Sequence, residues 1–183
     1  GEAAFYGPKL DFMFHDAIGR EWQLATIQCD FNLPERFNLS FKNEKGEDER
    51  PVVIHRAISG SLERFMGVMI EHFAGSFPVW LAPLQVIILP ISEHQKEYAL
   101  SVYRELKNLD IRVEIDDSNE SLGKRIRNAK MKKVPYHVVI GDKERDAKTI
   151  TVEGRKEKLE GIKIDKFIEK IQKIEVVRAW EDP

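Results

Sequence analysis

The sequence predicts two units of different class: an α+β unit built on an antiparallel sheet and closed by a helix, then an α/β unit with a mixed, mostly parallel sheet flanked by helices. Three observations predict it. The opening stretch alternates apolar and polar residues with period two and switches to a helical period at 62–73. From residue 84 onward short apolar runs alternate with helical stripes, the βαβ rhythm of a parallel sheet with right-handed crossovers. Between them Pro78 and Pro83 bracket a stiff connector through Trp80, which places the boundary between units 1–80 and 84–183.

Residues 9–16 (KLDFMFHD) set Leu10, Phe12 and Phe14 on one side and Asp11, Met13 and His15 on the other, as a half-buried strand does. Residues 21–28 (EWQLATIQ) repeat the pattern after a turn at 17–20, so the two runs predict an antiparallel hairpin. Residues 38–41 and 52–54 are two further short strands, separated by the highly charged NEKGEDER, whose Gly46 suits a solvated turn. From 62 to 73, Leu62, Phe65, Met66, Met69, Ile70 and Phe73 share one helix face, with Gly60 and Ser61 marking its start and Gly75 its end.

In the second unit, 84–89 (LQVIIL) is a buried strand, and Ser92 with Gln95 forms a capping-box signature before a helix with Tyr98, Ala99, Val102, Tyr103 and Leu106 inward. Residues 111–115 are a second strand, 121–132 a helix and 136–140 a third strand. Residues 149–152 and a hairpin-like stretch after them add one or two more, and Ile164, Phe167, Ile168, Ile171 and Ile174 give the last helix its buried stripe. No internal repeat or low-complexity segment interrupts this order.

Composition narrows the class. With 42% hydrophobic residues, three Trp and ten Phe, the chain has enough apolar surface for a core. Its 29 basic and 31 acidic residues leave a net charge of −2, so contact with nucleic acid must come from a local patch. A single cysteine, Cys29, excludes an internal disulfide and a zinc knuckle and suits a reducing cytoplasm, the expected location. No apolar run approaches the roughly 18 residues of a membrane-spanning helix, and residues 1–5 lack the pattern of a signal peptide, so no membrane partner is expected. The chain starts without Met and enters strand-like sequence at once, which reads as a piece of a longer protein.

Gly60-Ser61-Leu62-Glu63-Arg64 opens a helix just after a strand. A helix start offers free N–H groups and partial positive charge, and an arginine one turn in adds a planar charged fork, so together they suit a polyphosphate or a stacked base. A Gly-Ser start with a solvent-facing arginine is also an ordinary cap, and the pattern alone leaves both readings open. In the second unit Lys124, Arg125, Arg127, Lys130, Lys132 and Lys133 stand on a helix whose Leu122, Ile126 and Ala129 point the other way. That face suits RNA phosphates, or is simply solvated.

The run PVVIHRAISGSLERF at 51–65 resembles motif 3 of the class II aminoacyl-tRNA synthetases in their threonyl form. AFYGPK at 4–9 and WQLATIQ at 22–28 with Asp30-Phe31 are similar to that family's active-site strands, and VPYHVVIGDKE at 134–144 to its anticodon-binding domain. The resemblance covers essentially the whole chain. It implies that the first unit is the last part of the antiparallel class II catalytic sheet with the motif 3 helix, and the second an anticodon-binding domain. The implied function is that of a threonine–tRNA ligase of protein biosynthesis, which activates threonine with ATP and Mg2+ and transfers it to tRNA(Thr), with the full-length protein a homodimer.

The same resemblance implies the site residues. Arg64 and Lys9 would be the catalytic cations, and Tyr6, Lys9, Gln23, Thr26, Gln28, Ser61 and Arg64 match substrate and adenylate contacts. His55 matches one of three protein ligands of a Zn2+ ion that binds the amino and hydroxyl groups of threonine. The cysteine and second histidine, and the motif 2 arginine, would lie before Gly1, so this chain alone is expected not to activate threonine. Asn119, Arg127 and Glu144 would read unpaired anticodon bases.

One residue pair departs from the family pattern, and three of the matched residues do not fit a single strand face. Gln23, Thr26 and Gln28 cannot share one face of a regular strand, so either a bulge intervenes or one of them acts from the edge. After Thr151-Val152 stands Glu153-Gly154, where the family often places an arginine, with Arg155 as a substitute close by. Two rival readings are a truncated RNA-binding paralogue without catalysis and a sister class IIa synthetase for proline, histidine or glycine. The His55-Arg56-Ala57 context and the AFYGPK run favour threonine.

Overall fold

The structure, a computed structural model, describes residues 4–178. The chain divides into two compact units, Gly1–His72 and Phe73–Pro183.

In the first unit β1 (Lys9–His15) and β2 (Glu21–Asp30) form the expected antiparallel hairpin. A short helix α1 (Asn32–Arg36) follows, then a two-stranded hairpin of β3 (Phe41–Lys42) and β4 (Asp48–Glu49), then β5 (Val53–Ala57), which pairs antiparallel with the far edge of β2. The sheet order is β1-β2-β5, and α2 (Leu62–His72) comes directly after β5. The turn between β1 and β2 is locked by the Asp16 carboxylate. It accepts from the Ile18 and Arg20 amides, from Arg20 Nε and from Trp22 Nε1, while Arg20 Nη2 reaches Glu71 of α2.

The expected burial of this unit is corrected. Leu10, Phe14 and Leu62 are 57%, 59% and 67% exposed, and α2 buries none of its residues; Leu24 and Pro34 are buried. The period of the apolar residues identifies a face, not what covers it. A three-stranded sheet with one helix of ordinary length has too little surface to shield both faces.

The second unit runs β6 (Val86–Pro90), a 3-10 turn (Glu93–Gln95), α3 (Lys96–Asn108), β7 (Val113–Ile115), α4 (Leu122–Met131), β8 (Tyr136–Ile140), α5 (Asp142–Ala147), β9 (Ile150–Glu153), β10 (Lys158–Ile162) and α6 (Ile164–Val177). The sheet order is β10-β9-β8-β6-β7, with β6 parallel to both β7 and β8 and the β9–β10 hairpin antiparallel at the edge. Every residue of β6 is buried, as its unbroken apolar run requires of a central parallel strand. Val86, Ile88, Val138 and Ile140 pack with α3 and α6 on one side, and Ile87 and Leu89 with Ala129 and Val134 on the other. The capping box forms: the Gln95 side chain accepts from the Ser92 amide at 2.8 Å.

Residues 73–83 pack with this second unit. Val79 and Ala82 are buried, and Arg112 donates to the carbonyls of Ala82 (2.8 Å) and Trp80 (2.9 Å).

Candidate functional site

Consecutive residues Phe12 and Met13 of β1 face Ala25 and Gln23 of β2, so Leu24 is the extra residue of a bulge. The bulge reverses the parity of Gln23. Gln23 Nε2 then lies 3.1 Å from Thr26 Oγ1, and both donate to Asp11 Oδ1 at 2.7 Å. Thr26 and Gln28, two apart, share that face by ordinary strand geometry. Of the two alternatives left by the sequence, the structure takes the bulge. Lys9, opposite Gln28 in the register, joins the cluster through an ion pair to Asp11 at 2.9 Å. Hydrogen bonds, first from Thr26 and then from Lys9, lower the Asp11 pKa, so its carboxylate is charged.

The start of α2 sits on the same bulge. Gly60 has φ +64°, and a Cβ there would lie 2.9 Å from the Leu24 carbonyl oxygen, so glycine lets the helix mouth approach β2. Ser61 Oγ accepts from the Arg64 amide at 3.2 Å, and its carbonyl accepts from the Phe65 amide. Arg64 is exposed and donates from Nη1 to the Gln23 carbonyl at 3.3 Å; no ion pair uses its charge among the described residues. A guanidinium therefore stands at an open helix mouth, beside Gln23, with most of its donors facing outward.

Further along β2, Tyr6, Gln28, Asp30, Arg36 and His55 line a cavity of about 360 Å³. His55 is the register partner of Gln28. Asp30, 3% exposed, accepts from the Asn32 and Leu33 amides at the start of α1 and lies 2.9 Å from His55 Nε2. The Leu33 amide and the histidine hold its pKa down against the opposing effect of burial. Charged Asp30 thus accepts a hydrogen bond from His55 Nε2, which leaves Nδ1 as the ring nitrogen that Asp30 does not engage. Among the described residues no group of three or more His, Cys, Asp or Glu side chains could hold a metal. His55, the expected zinc ligand, stands in no such group among the described residues.

In the second unit the expected basic face is corrected at Arg125, and Lys132 and Lys133 lie beyond the end of α4. Arg125 is only 4% exposed and donates to the Asp116 and Pro90 carbonyls. Arg127 is exposed, and Lys124 and Lys130 are paired with Glu120 and Glu153. Asn119 is exposed in the loop that follows β7, on a cleft of about 460 Å³. Glu144 is engaged inside the fold: Oε2 accepts from the Gly141 amide at 2.9 Å and Oε1 from Thr151 Oγ1 at 2.8 Å. Burial would raise its pKa, but those bonds outweigh it and keep the carboxylate charged. Glu153 lines a second cavity of about 310 Å³ with Lys130, Lys133, His137 and Arg155, and Arg155 Nη2 donates to the Lys133 carbonyl at 3.0 Å.

Sequence reasoning missed Asp11, Asp30 and the true place of Arg125. Asp30 carried a signal, an acidic residue just ahead of a short stretch with Pro34 near its start, which is cap chemistry. Asp11 carried none, because Thr26 meets it only across the strand register and Gln23 only through the bulge.

Comparison with known proteins adds two family models and several relatives. Residues 1–73 match the model described as "tRNA synthetase class II core domain (G, H, P, S and T)", and residues 85–174 the "Anticodon binding domain". The chain is 53% identical over 174 residues to the "Threonine--tRNA ligase" of Caldanaerobacter subterraneus subsp. tengcongensis, covering 94% of this chain and 27% of that protein. It is 52% identical over 183 residues to that of Porphyromonas gingivalis, covering 98% and 28%. Among solved structures, the "RNA binding domain of Threonyl-tRNA synthetase" from Cryptosporidium parvum Iowa II matches all of this chain and 45% of its own, with a TM-score of 0.87 and 41% identity. The chain thus spans little more than a quarter of the length of the curated relatives it matches.

Proposed function

The chain belongs to the threonyl-tRNA synthetase family of class II synthetases, and on that footing we propose that it supplies one end of the nucleotide site and the RNA-reading domain of a threonine–tRNA ligase. The observation that carries this reading is the open mouth of α2, where Arg64 stands beside the bulged, polar face of β2. Adenylate formation joins a threonine carboxylate oxygen to the ATP α-phosphorus and expels pyrophosphate. The protein supplies no nucleophile to it; fixed donors and cations stabilise charge where it develops.

In this assignment Arg64 and Lys9 present the cations, and Ser61 caps the helix that carries Arg64. Tyr6, Gln23, Thr26 and Gln28 present hydrogen-bonding groups to threonine and the adenylate. Mg2+ bound with ATP would offset the charge of the pyrophosphate. His55 Nδ1 would be the nitrogen offered to a zinc ion, with Asp30 fixing the ring through Nε2.

Asn119, Arg127 and Glu144 are assigned to the anticodon of tRNA(Thr). Arg127 offers an exposed fork, while Glu144 uses the second lone pairs of its two engaged oxygens. The functional division follows residues 1–80 and 84–183, in a cytoplasmic protein that pairs as a homodimer at full length. No helix among the described residues is long and apolar enough to cross a membrane.

ATP–pyrophosphate exchange by the full-length protein, offered threonine, serine, valine, proline, histidine or glycine, tests the reading. Threonine is expected to sustain exchange far above the others. Exchange driven by proline, histidine or glycine would assign the chain to a sister synthetase, and no exchange with any of them would leave the RNA-binding paralogue.

A further inference from the structure

Arg125 reaches from the buried side of α4 to two places at once. Its Nη1 donates to the Asp116 carbonyl at 2.7 Å and Nη2 to the Pro90 carbonyl at 2.6 Å. Pro90 ends β6 and Asp116 follows β7, so the planar fork bridges the carboxyl ends of two neighbouring parallel strands. Its Nε has no acceptor among the described residues.

A permanently charged side chain held only by carbonyls, with one buried N–H unmade, costs stability relative to an apolar side chain of similar length. What it contributes is geometry, because a guanidinium fixes two acceptors in one plane. Those acceptors fix the loop after β7. The Asp116 amide donates to the Ile88 carbonyl at 3.0 Å, and its carboxylate accepts from the amide (3.0 Å) and hydroxyl (2.6 Å) of Ser118. Glu120 accepts from Asn128 at 3.0 Å and Lys124 at 2.7 Å. Asn119 is exposed between Ser118 and Glu120, and lines the same cleft as Arg125.

We infer that Arg125 is a positioning residue for RNA recognition: its fork holds the 116–120 loop in the one conformation that presents the Asn119 side chain to a base. This rests on the reading of Asn119 given above. It assigns no RNA contact to Arg125, which is too deeply buried to make one.

The test uses the whole chain, Arg125→Met, Arg125→Lys, Asn119→Ala and the Arg125→Met/Asn119→Ala double variant. The probes are a stem-loop RNA bearing a threonine anticodon and the same stem-loop with each anticodon base replaced in turn. The unaltered chain should prefer the threonine loop over the loop changed at the Asn119-read base by about tenfold, the scale of one base-edge contact. Arg125→Met should bring that ratio close to one while the salt-dependent affinity for every loop stays, since phosphate contacts are untouched. Arg125→Lys should recover part of the ratio, and adding Arg125→Met to Asn119→Ala should cost nothing more. Amide hydrogen exchange should quicken at 116–121 in Arg125→Met and stay unchanged in β6 and β8.

A merely structural role predicts the opposite pattern, with every loop weakened by one common factor, the ratio kept, and exchange faster across the core; that pattern overturns the inference, as does an unchanged ratio with full affinity. A chain with no base preference even when unaltered would remove the RNA reading itself, and with it any base for Arg125 to serve; the exchange rates at 116–121 would then report the loop's tether separately.

Discussion

On the proposed function, replacing Arg64 with alanine in the full-length protein is expected to lower kcat/KM for threonine-dependent ATP–pyrophosphate exchange by roughly 10²–10³-fold, the range for losing one preorganised charge donor at a reacting group. The expectation follows from how little the fold asks of this side chain. Arg64 is exposed, its side chain's one hydrogen bond among the described residues is the 3.3 Å contact to the Gln23 carbonyl, and its amide is satisfied by Ser61 whatever the side chain is. Thermal stability should therefore move little, because exposed substitutions away from buried networks stay within about 0.5 kcal/mol. Arg64→Lys should recover little of the loss, since a point charge does not reproduce the planar fork. Full activity in Arg64→Ala would return Arg64 to the status of a solvated cap residue.

The second large effect is expected at Gly60. With φ +64° a side chain there costs about 1–2 kcal/mol of backbone strain, and its Cβ would press to 2.9 Å from a backbone oxygen of β2 that cannot swing away. Relief requires the mouth of α2 to lift from the bulge, taking Ser61 and Arg64 with it. Gly60→Ala should thus lose both stability and activity, the activity by more than the stability loss accounts for at a temperature where the variant is folded. Gly67, in the middle of the same helix, is the control: a Cβ there meets nothing within 4 Å. Gly67→Ala should stabilise by about 0.5–1 kcal/mol through helix propensity alone. Equal behaviour of the two variants, followed by circular dichroism melts and exchange rates, would remove the close approach of α2 to β2 from the account.

What could be read from the chain, and what could not, separates along physical lines. The strand at 84–89 and the helix at the C-terminal side were legible because a long apolar run and five residues at helical spacing each leave one economical solution. The helices α1 and α5, five and six residues long, carry no period and are held by their ends, by Asp30 in one case and by Glu144 in the other.

The bulge at Leu24 is a property of two strands in register, so the residues of β2 alone left it as one of two alternatives. Arg125 was legible in retrospect. It lies three residues after Leu122 and four before Ala129, which puts it on the edge of the apolar stripe, whereas Arg127 falls on the opposite side. The charge of Arg125 suggests a solvated face, but its periodicity places it inward, and the buried fork follows the periodicity. The resemblance located the polar residues of β2, but their common face, and the part Asp11 plays in it, belong to the fold.

The central claim is that the mouth of α2 receives the nucleotide. The amides of the first helical turn have no partner within the helix itself, so a bound phosphate or base there must slow their exchange with solvent. Amide hydrogen exchange of the full-length protein, compared with and without ATP and threonine, should show protection at 60–64 and along 23–28, and none at 164–177. Unchanged exchange at 60–64 under conditions where ATP is bound elsewhere on the protein would contradict the account.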